Sequence, residues 1–197
     1  EVVAAPNAAA AGRVQAWAVG PGLGTDEAAV TALTYALNSD LPVIVDADGL
    51  TILSHHPHLV SERDAPTVLT PHAGEFERLA GAGPGMDRVA ATRRLADAFG
   101  ATVLLKGNVT VIAEPDGPVY LNPAVGSWAA TAGSGDVLSG VIGALLAAGL
   151  APVEAAAAAA FVHARAANAS AADPGPASAP TSASRILAHI RSAVAAL

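Results

Sequence analysis

Unbroken apolar runs, each closed by Gly, Pro or Asp, alternate along this chain with stretches whose apolar residues return at helical spacing. The first run, residues 14–20, ends in Gly20-Pro21-Gly22-Leu23-Gly24. Thr25 then stands where it would cap a helix reaching residue 38, with Asp26 and Glu27 in the first turn facing the positive end of the helix dipole. Residues 42–46 (Pro-Val-Ile-Val-Asp) form a β-branched run of the kind buried on both faces of a parallel sheet, and residues 67–71 repeat the pattern. The spacing predicts helices over 74–80 and 86–99, strands over 101–106, 109–113 and 119–121, and helices over 133–149 and 152–172. A Pro/Ser/Ala linker at 174–182 leads to a last helix over 184–197, with Ser184 as its cap.

Continuous apolar strands alternating with helices predict an α/β fold with a mostly parallel central sheet and helices on both faces. A length of 197 residues suits one domain, taken as 1–197, with a sizeable core. In such sheets ligands lie beyond the carboxyl ends of the strands. The polar motifs of this chain fall at those ends.

Composition narrows the function. Hydrophobic residues make up 52% but aromatics only 4%, so Ala, Val and Leu must build the core. Ten Lys and Arg against 17 Asp and Glu give a net charge of −7, which leaves no basic surface for a nucleic-acid partner. An anionic small molecule stays open, because backbone N–H groups and one lysine suffice to hold phosphates. The absence of cysteine removes disulfides, thiol catalysis and Cys-ligated zinc. The apolar stretch 137–150 falls short of the roughly 20 residues needed to cross a bilayer. Residues 151–172 carry Glu154, His163, Arg165 and Asn168, and no basic segment follows Glu1. A soluble cytoplasmic protein with no membrane partner is expected.

The strongest chemical motif is Ala132-Gly133-Ser134-Gly135-Asp136. Three small residues opening a helix aim successive N–H groups and the helix dipole at one spot, which makes an anion hole. Asp136, one turn in, is positioned to accept a hydroxyl proton as that hydroxyl attacks a phosphoryl group. Read alone, the string is equally well a helix start with an acidic residue. Lys106-Gly107-Asn108-Val109-Thr110 lies between two strands, where Lys106 offers a phosphate-directed charge and Thr110 a hydroxyl. Thr70-Pro71-His72-Ala73-Gly74-Glu75 ends another strand, with His72 facing the expected cleft and Glu75 able to orient a hydrated Mg²⁺ through water. Asp46-Ala47-Asp48 puts two carboxylates at a strand end, for metal, substrate or, for Asp48, capping of the next helix. Gly20–Gly24 lets backbone approach a ligand but lacks the spacing of a dinucleotide-binding fingerprint. His55, His56 and His58 flank Pro57 and read as an exposed loop rather than a metal site. Trp17 and Trp128 read as packing residues.

Taken in order, the Gly-Pro-Gly-Leu-Gly, Asp-Ala-Asp-Gly-Leu, Thr-Pro-His-Ala-Gly-Glu, Lys-Gly-Asn-Val-Thr and Ala-Gly-Ser-Gly-Asp motifs resemble those of the ADP-dependent NAD(P)H-hydrate dehydratases, within the ribokinase-like superfamily. The resemblance covers residue 14 to the C-terminus. It implies a ribokinase-like fold that in this chain is N-terminally truncated, since the family domain is longer by at least one βαβ unit. It implies that Gly22, Gly24, His72 and Asp136 contact hydrated NADH or NADPH. Lys106, Gly107, Asn108, Val109, Thr110, Gly133, Ser134 and Gly135 would bind the adenine nucleotide. ADP as donor, Mg²⁺, a homo-oligomer (a tetramer) and a fused or paired NAD(P)H-hydrate epimerase follow from the same resemblance. The alternatives are a small-molecule kinase of the superfamily, for a vitamin precursor or sugar, and a truncated nucleotide-binding module without turnover.

Overall fold

The computed structural model describes residues 4–124 and 126–197. Six strands, β1 (Trp17–Val19), β2 (Val43–Val45), β3 (Thr67–Leu69), β4 (Thr102–Leu105), β5 (Val109–Ala113) and β6 (Val119–Pro123), lie side by side in chain order. β1 to β4 are parallel, and β5 and β6 extend the sheet as an antiparallel hairpin. Helix α1 (Glu27–Leu37) joins β1 to β2, α2 (Asp48–His55) and α3 (His58–Ser61) join β2 to β3, and α4 (Ala73–Ala80) and α5 (Arg88–Phe99) join β3 to β4. After β6 come α6 (Ser134–Ala147), α7 (Pro152–Ala172) and α8 (Ala183–Ala195).

Strands that follow one another in space as in sequence, with right-handed crossovers, put every connecting helix on one face. The alternation of side chains confirms it. Val43, Val45, Leu69, Val103 and Leu105 point into the layer with Leu33, Leu53, Phe76 and Leu95. Their neighbours Ile44, Val68, Leu104 and Ile112 point the other way, against Leu138, Ile142 and the alanines of α7. Ala155, Ala156, Ala159, Ala166 and Ala167 are all buried, so alanine lets α7 lie close to both the sheet and α8. This is the expected α/β sandwich with a mostly parallel sheet. Because β1 to β4 are parallel, their carboxyl ends line up on one edge. The loop after β6 returns to that same edge and delivers the start of α6 there.

Some details differ from the sequence reading. Asp26, not Thr25, caps α1, accepting from the Ala29 N–H at 2.9 Å. Ser182, not Ser184, precedes α8, and its side chain makes no capping bond. His55 closes α2 and His58 opens α3, so the expected loop is a helix–helix corner; His55 and His58 are exposed as anticipated. Trp17 packs edge-on against Tyr35, and Trp128 packs beneath α7 and α8.

At the opposite edge, Arg63 ties two connections together. Its guanidinium donates to the carbonyls of Leu37, Ser39 and Leu41 and to Thr67 Oγ1. Desolvation draws its pKa below the ordinary arginine value, against the opposing pull of Asp40. Replacing Arg63 with Leu leaves three carbonyls without this donor and is expected to cost about 2 kcal/mol in urea unfolding. The site at the other edge should keep its ligand affinity.

Candidate active site

Four strand ends and one helix start converge at the carboxyl edge. After β1 the chain turns sharply at Gly20, whose φ of +129° and lack of a side chain are both required. A Cβ there would sit 1.8 Å from the Asp46 carbonyl oxygen. The following loop is tied down by the Gly24 N–H, which donates to Asp48 Oδ2 at 2.8 Å. Asp48 was expected to cap α2. It lies in that helix's first turn and instead anchors the glycine loop, and Ala47 precedes the helix with a positive φ of 48°.

Asp46 ends β2 and is 2% exposed. Its Oδ1 accepts from Lys106 Nζ at 2.7 Å and from the Ala47 N–H, while Oδ2 accepts from Ser139 Oγ at 2.7 Å. The ammonium of Lys106, at the end of β4, also lies 3.6 Å from Glu75 Oε2. A Cβ on Gly135 would stand 3.5 Å from that ammonium and 3.7 Å from Asp46 Oδ2. The ion pair therefore forms the floor directly under the start of α6, and a side chain at position 135 would fill the space between them.

Above that floor, Gly133 precedes α6 in a left-handed conformation. The Ser134 N–H donates to the Thr131 carbonyl at 3.1 Å and the Val137 N–H to the Gly133 carbonyl. The N–H groups of Gly135 and Asp136 have no backbone acceptor among the described residues. Two neighbouring amides at the start of α6 are thus left without a backbone acceptor, and the Ser134 amide is not one of them.

A cleft of about 420 Å³ opens beside this helix start. Lys106, Gly107, Asn108 and Thr110 form one wall, residues of the 124–130 loop another, and Ser134, Gly135, Leu138, His163 and His72 complete it. Six of the eight residues expected to bind nucleotide thus line one cavity. Val109 points outward and Gly133 acts through the backbone turn. Arg88, from the start of α5, steadies this wall by donating to the Lys106 carbonyl at 3.2 Å.

Asp136, Gly22 and Gly24 are not part of that cavity. Asp136 is exposed, on the helix face it shares with Ser139 and Gly143. Ser139 reaches Asp46, and Gly143 faces Ala18 and Ile44, so this face looks toward β1 and β2. The first turn of α6 therefore divides the edge in two. The cleft lies on the β4–β6 side, and a carboxylate on the β1 side.

His72 caps α4, its Nδ1 accepting from the Gly74 and Glu75 N–H groups, while Glu75 Oε2 accepts from the His72 N–H at 2.7 Å. The ring stays exposed at the cleft rim. Glu75 is buried and committed to this capping box and to Lys106. Among the described residues no three His, Cys, Asp or Glu side chains are grouped to hold a metal ion. Among the described residues no helix is long and apolar enough to cross a membrane.

Sequence reasoning missed Ser139, Arg88 and His163. Ser139 follows Asp136 by three residues and so shares its face. His163 was visible only as a polar residue in an alanine-rich helix.

A family model described as NAD(P)H-hydrate dehydratase matches residues 2–189. The chain is 77% identical, over all its 197 residues, to the bifunctional NAD(P)H-hydrate repair enzyme Nnr of Mycobacterium tuberculosis, and spans 42% of that protein's length. Among solved structures, the ADP/ATP-dependent NAD(P)H-hydrate dehydratase of Bacillus subtilis, co-crystallised with ATP/Mg²⁺, superposes with a TM-score of 0.79 at 30% identity. That match covers 92% of this chain and 64% of the other. A ribokinase-like superfamily protein from Enterococcus faecalis matches with a TM-score of 0.73 at 26% identity, covering 91% of this chain and 63% of its own.

Proposed function

This chain belongs to the NAD(P)H-hydrate dehydratase family, and from that premise we propose that it forms the phosphoryl-transferring core of an enzyme that returns the S epimer of hydrated NAD(P)H to NAD(P)H, with ADP as donor. The observation that carries the reading is the divided edge. The Lys106–Asp46 pair, its carboxylate buried and its ammonium partly so, lies under the free amides of Gly135 and Asp136, with the nucleotide-sized cleft on one side and the Asp136 carboxylate on the other.

The adenine nucleotide enters the cleft along residues 106–110 and the start of α6. Its β-phosphate lies against the Gly135 and Asp136 amides, above the Lys106 ammonium. These fixed dipoles and the charge need no reorganisation as negative charge shifts during transfer. The hydrated nicotinamide nucleotide lies on the Gly22 and Gly24 side, reaching His72 at the rim. Asp136 takes the proton of the C6 hydroxyl as its oxygen bonds to the β-phosphorus and the bond to AMP breaks. Hydroxide leaves a ring carbon poorly, whereas phosphate leaves well. The ring nitrogen's lone pair then expels it and the resulting iminium loses a proton from C5, so the balance is hydrated NADH plus ADP to NADH, AMP, phosphate and one proton.

Mg²⁺ would arrive with the phosphates, neutralise part of their charge and meet Glu75 through water. A cytoplasmic homotetramer working beside an epimerase belongs to the same reading. The exposed Leu121, Leu187 and Val194 support the assembly, and the bifunctional Mycobacterium relative supports the pairing.

Incubation with acid-hydrated NADH, ADP and Mg²⁺ tests the proposal. Recovery of absorbance in the reduced-nicotinamide band, with one AMP per NADH, is expected. No recovery, alongside stable phosphorylation of a vitamin-precursor alcohol, would assign the cleft to a small-molecule kinase.

A further inference from the structure

His163 has no part in the chemistry so far, yet it is a buried ring in contact with the helix that carries that chemistry. It projects from α7, is 7% exposed, and its Nε2 lies 2.9 Å from Ser134 Oγ; both residues line the cleft. The neighbouring amides at the start of α6 are free, but the Ser134 N–H is spent on the Thr131 carbonyl. Only its hydroxyl remains for a ligand, and a hydroxyl is either donor or acceptor toward the cleft according to where its proton points.

We propose that His163 is a positioning residue that holds Ser134 as a hydrogen-bond donor to a phosphate of the bound nucleotide, by donating its own Nε2–H to Ser134 Oγ. The inference rests on the cleft being the nucleotide site. If the histidine accepted instead, the serine proton would point into α7 and its lone pairs would face the phosphate, opposing an anion. With Nε2 as donor, the serine proton is free to turn into the cleft and bond a phosphate oxygen, strengthened by the ligand's charge. Desolvation pulls the His163 pKa below the usual histidine value, with hydrogen bonding to the Ser134 backbone acting the other way. The ring is thus neutral at physiological pH and carries one N–H, which makes the tautomer a real choice. The geometry also explains why a polar ring is kept in a helix whose other buried positions are mostly alanine and valine.

Two measurements test the proposal. Imidazole ¹⁵N spectra of the wild-type protein saturated with ADP should show the His163 proton on Nε2; a proton on Nδ1 overturns it. In ADP titrations, Ser134→Ala and His163→Leu should each weaken binding about tenfold. The double variant should be no weaker than Ser134→Ala, because one residue acts through the other. His163→Gln, which retains a side-chain N–H donor, should recover most of the loss, and KM for the hydrated nucleotide should stay unchanged throughout. Additive losses, or equal rises in both KM values, would mean that His163 merely supports the helix. Should His163→Leu not fold, the Gln variant alone and with Ser134→Ala gives the same comparison: near-wild-type affinity alone and the Ser134→Ala loss when combined are expected, and a further loss overturns the role. Failure of the wild-type protein to bind ADP at all would overturn the nucleotide reading as well, whereas normal ADP binding unaffected by these variants overturns only the role of His163.

Discussion

Asp136→Asn is expected to lower kcat for NADH recovery by about a thousandfold while ADP affinity stays within a few-fold. The amide has the shape of the carboxylate but cannot accept the proton that the C6 hydroxyl must lose as it attacks. The side chain lies on the β1 side of α6, away from the nucleotide cleft, and makes no hydrogen bond to another side chain among the described residues, so nothing in the cleft depends on its charge. Its loss from the first turn weakens α6 only by the interaction of an exposed carboxylate with the helix dipole, less than about 1 kcal/mol. If neutralisation affects the phosphates at all, it should favour them slightly by removing a nearby negative charge. Steady-state absorbance assays and calorimetric ADP titration separate the two quantities. A variant with near-normal kcat would mean that another group takes the proton.

The parts of this arrangement differ in how readily sequence discloses them. The strands are legible because each is a run of apolar residues buried on both faces, and Val43-Ile44-Val45 has no other stable place. The anion hole is legible because its function requires small residues before a helix, which is a local pattern. Contacts across the fold are not local. Asp46 and Lys106 are 60 positions apart, and Asp46 and Ser139 are 93 apart; only the parallel sheet brings them to one edge. The misreading of Asp48 has the same origin. Its spacing before Gly49-Leu50 suits a cap, but the glycine loop 24 positions earlier offers an amide at 2.8 Å and takes it. Thr25 and Ser184 failed as caps by one or two residues, where alternative hydroxyls and carboxylates compete within a single turn. Lys106 was assigned to the phosphate by its place at a strand end, and nothing in the sequence shows that two buried carboxylates already hold it.

That shared lysine leads to the second large effect. Asp46→Ala is expected to destabilise the unliganded protein by about 3 kcal/mol in urea unfolding. The substitution strips a mostly buried ammonium of its closest counter-charge, leaving only Glu75 at 3.6 Å, and deprives Ser139 Oγ of its acceptor in the interior. Removing one partner of such a pair is costly because the survivor stays desolvated without compensation. A phosphate resting on the Gly135 and Asp136 amides would supply the missing negative charge, since Lys106 Nζ lies just beneath Gly135. ADP should therefore stabilise this variant by more than the roughly 2.7 kcal/mol that mass action gives at a hundredfold excess over the wild-type Kd. Urea unfolding with and without ADP at that same concentration measures both terms. A ligand gain equal to or below the wild-type value would mean that the phosphates bind away from Lys106, and the floor of the anion hole would then be structural only.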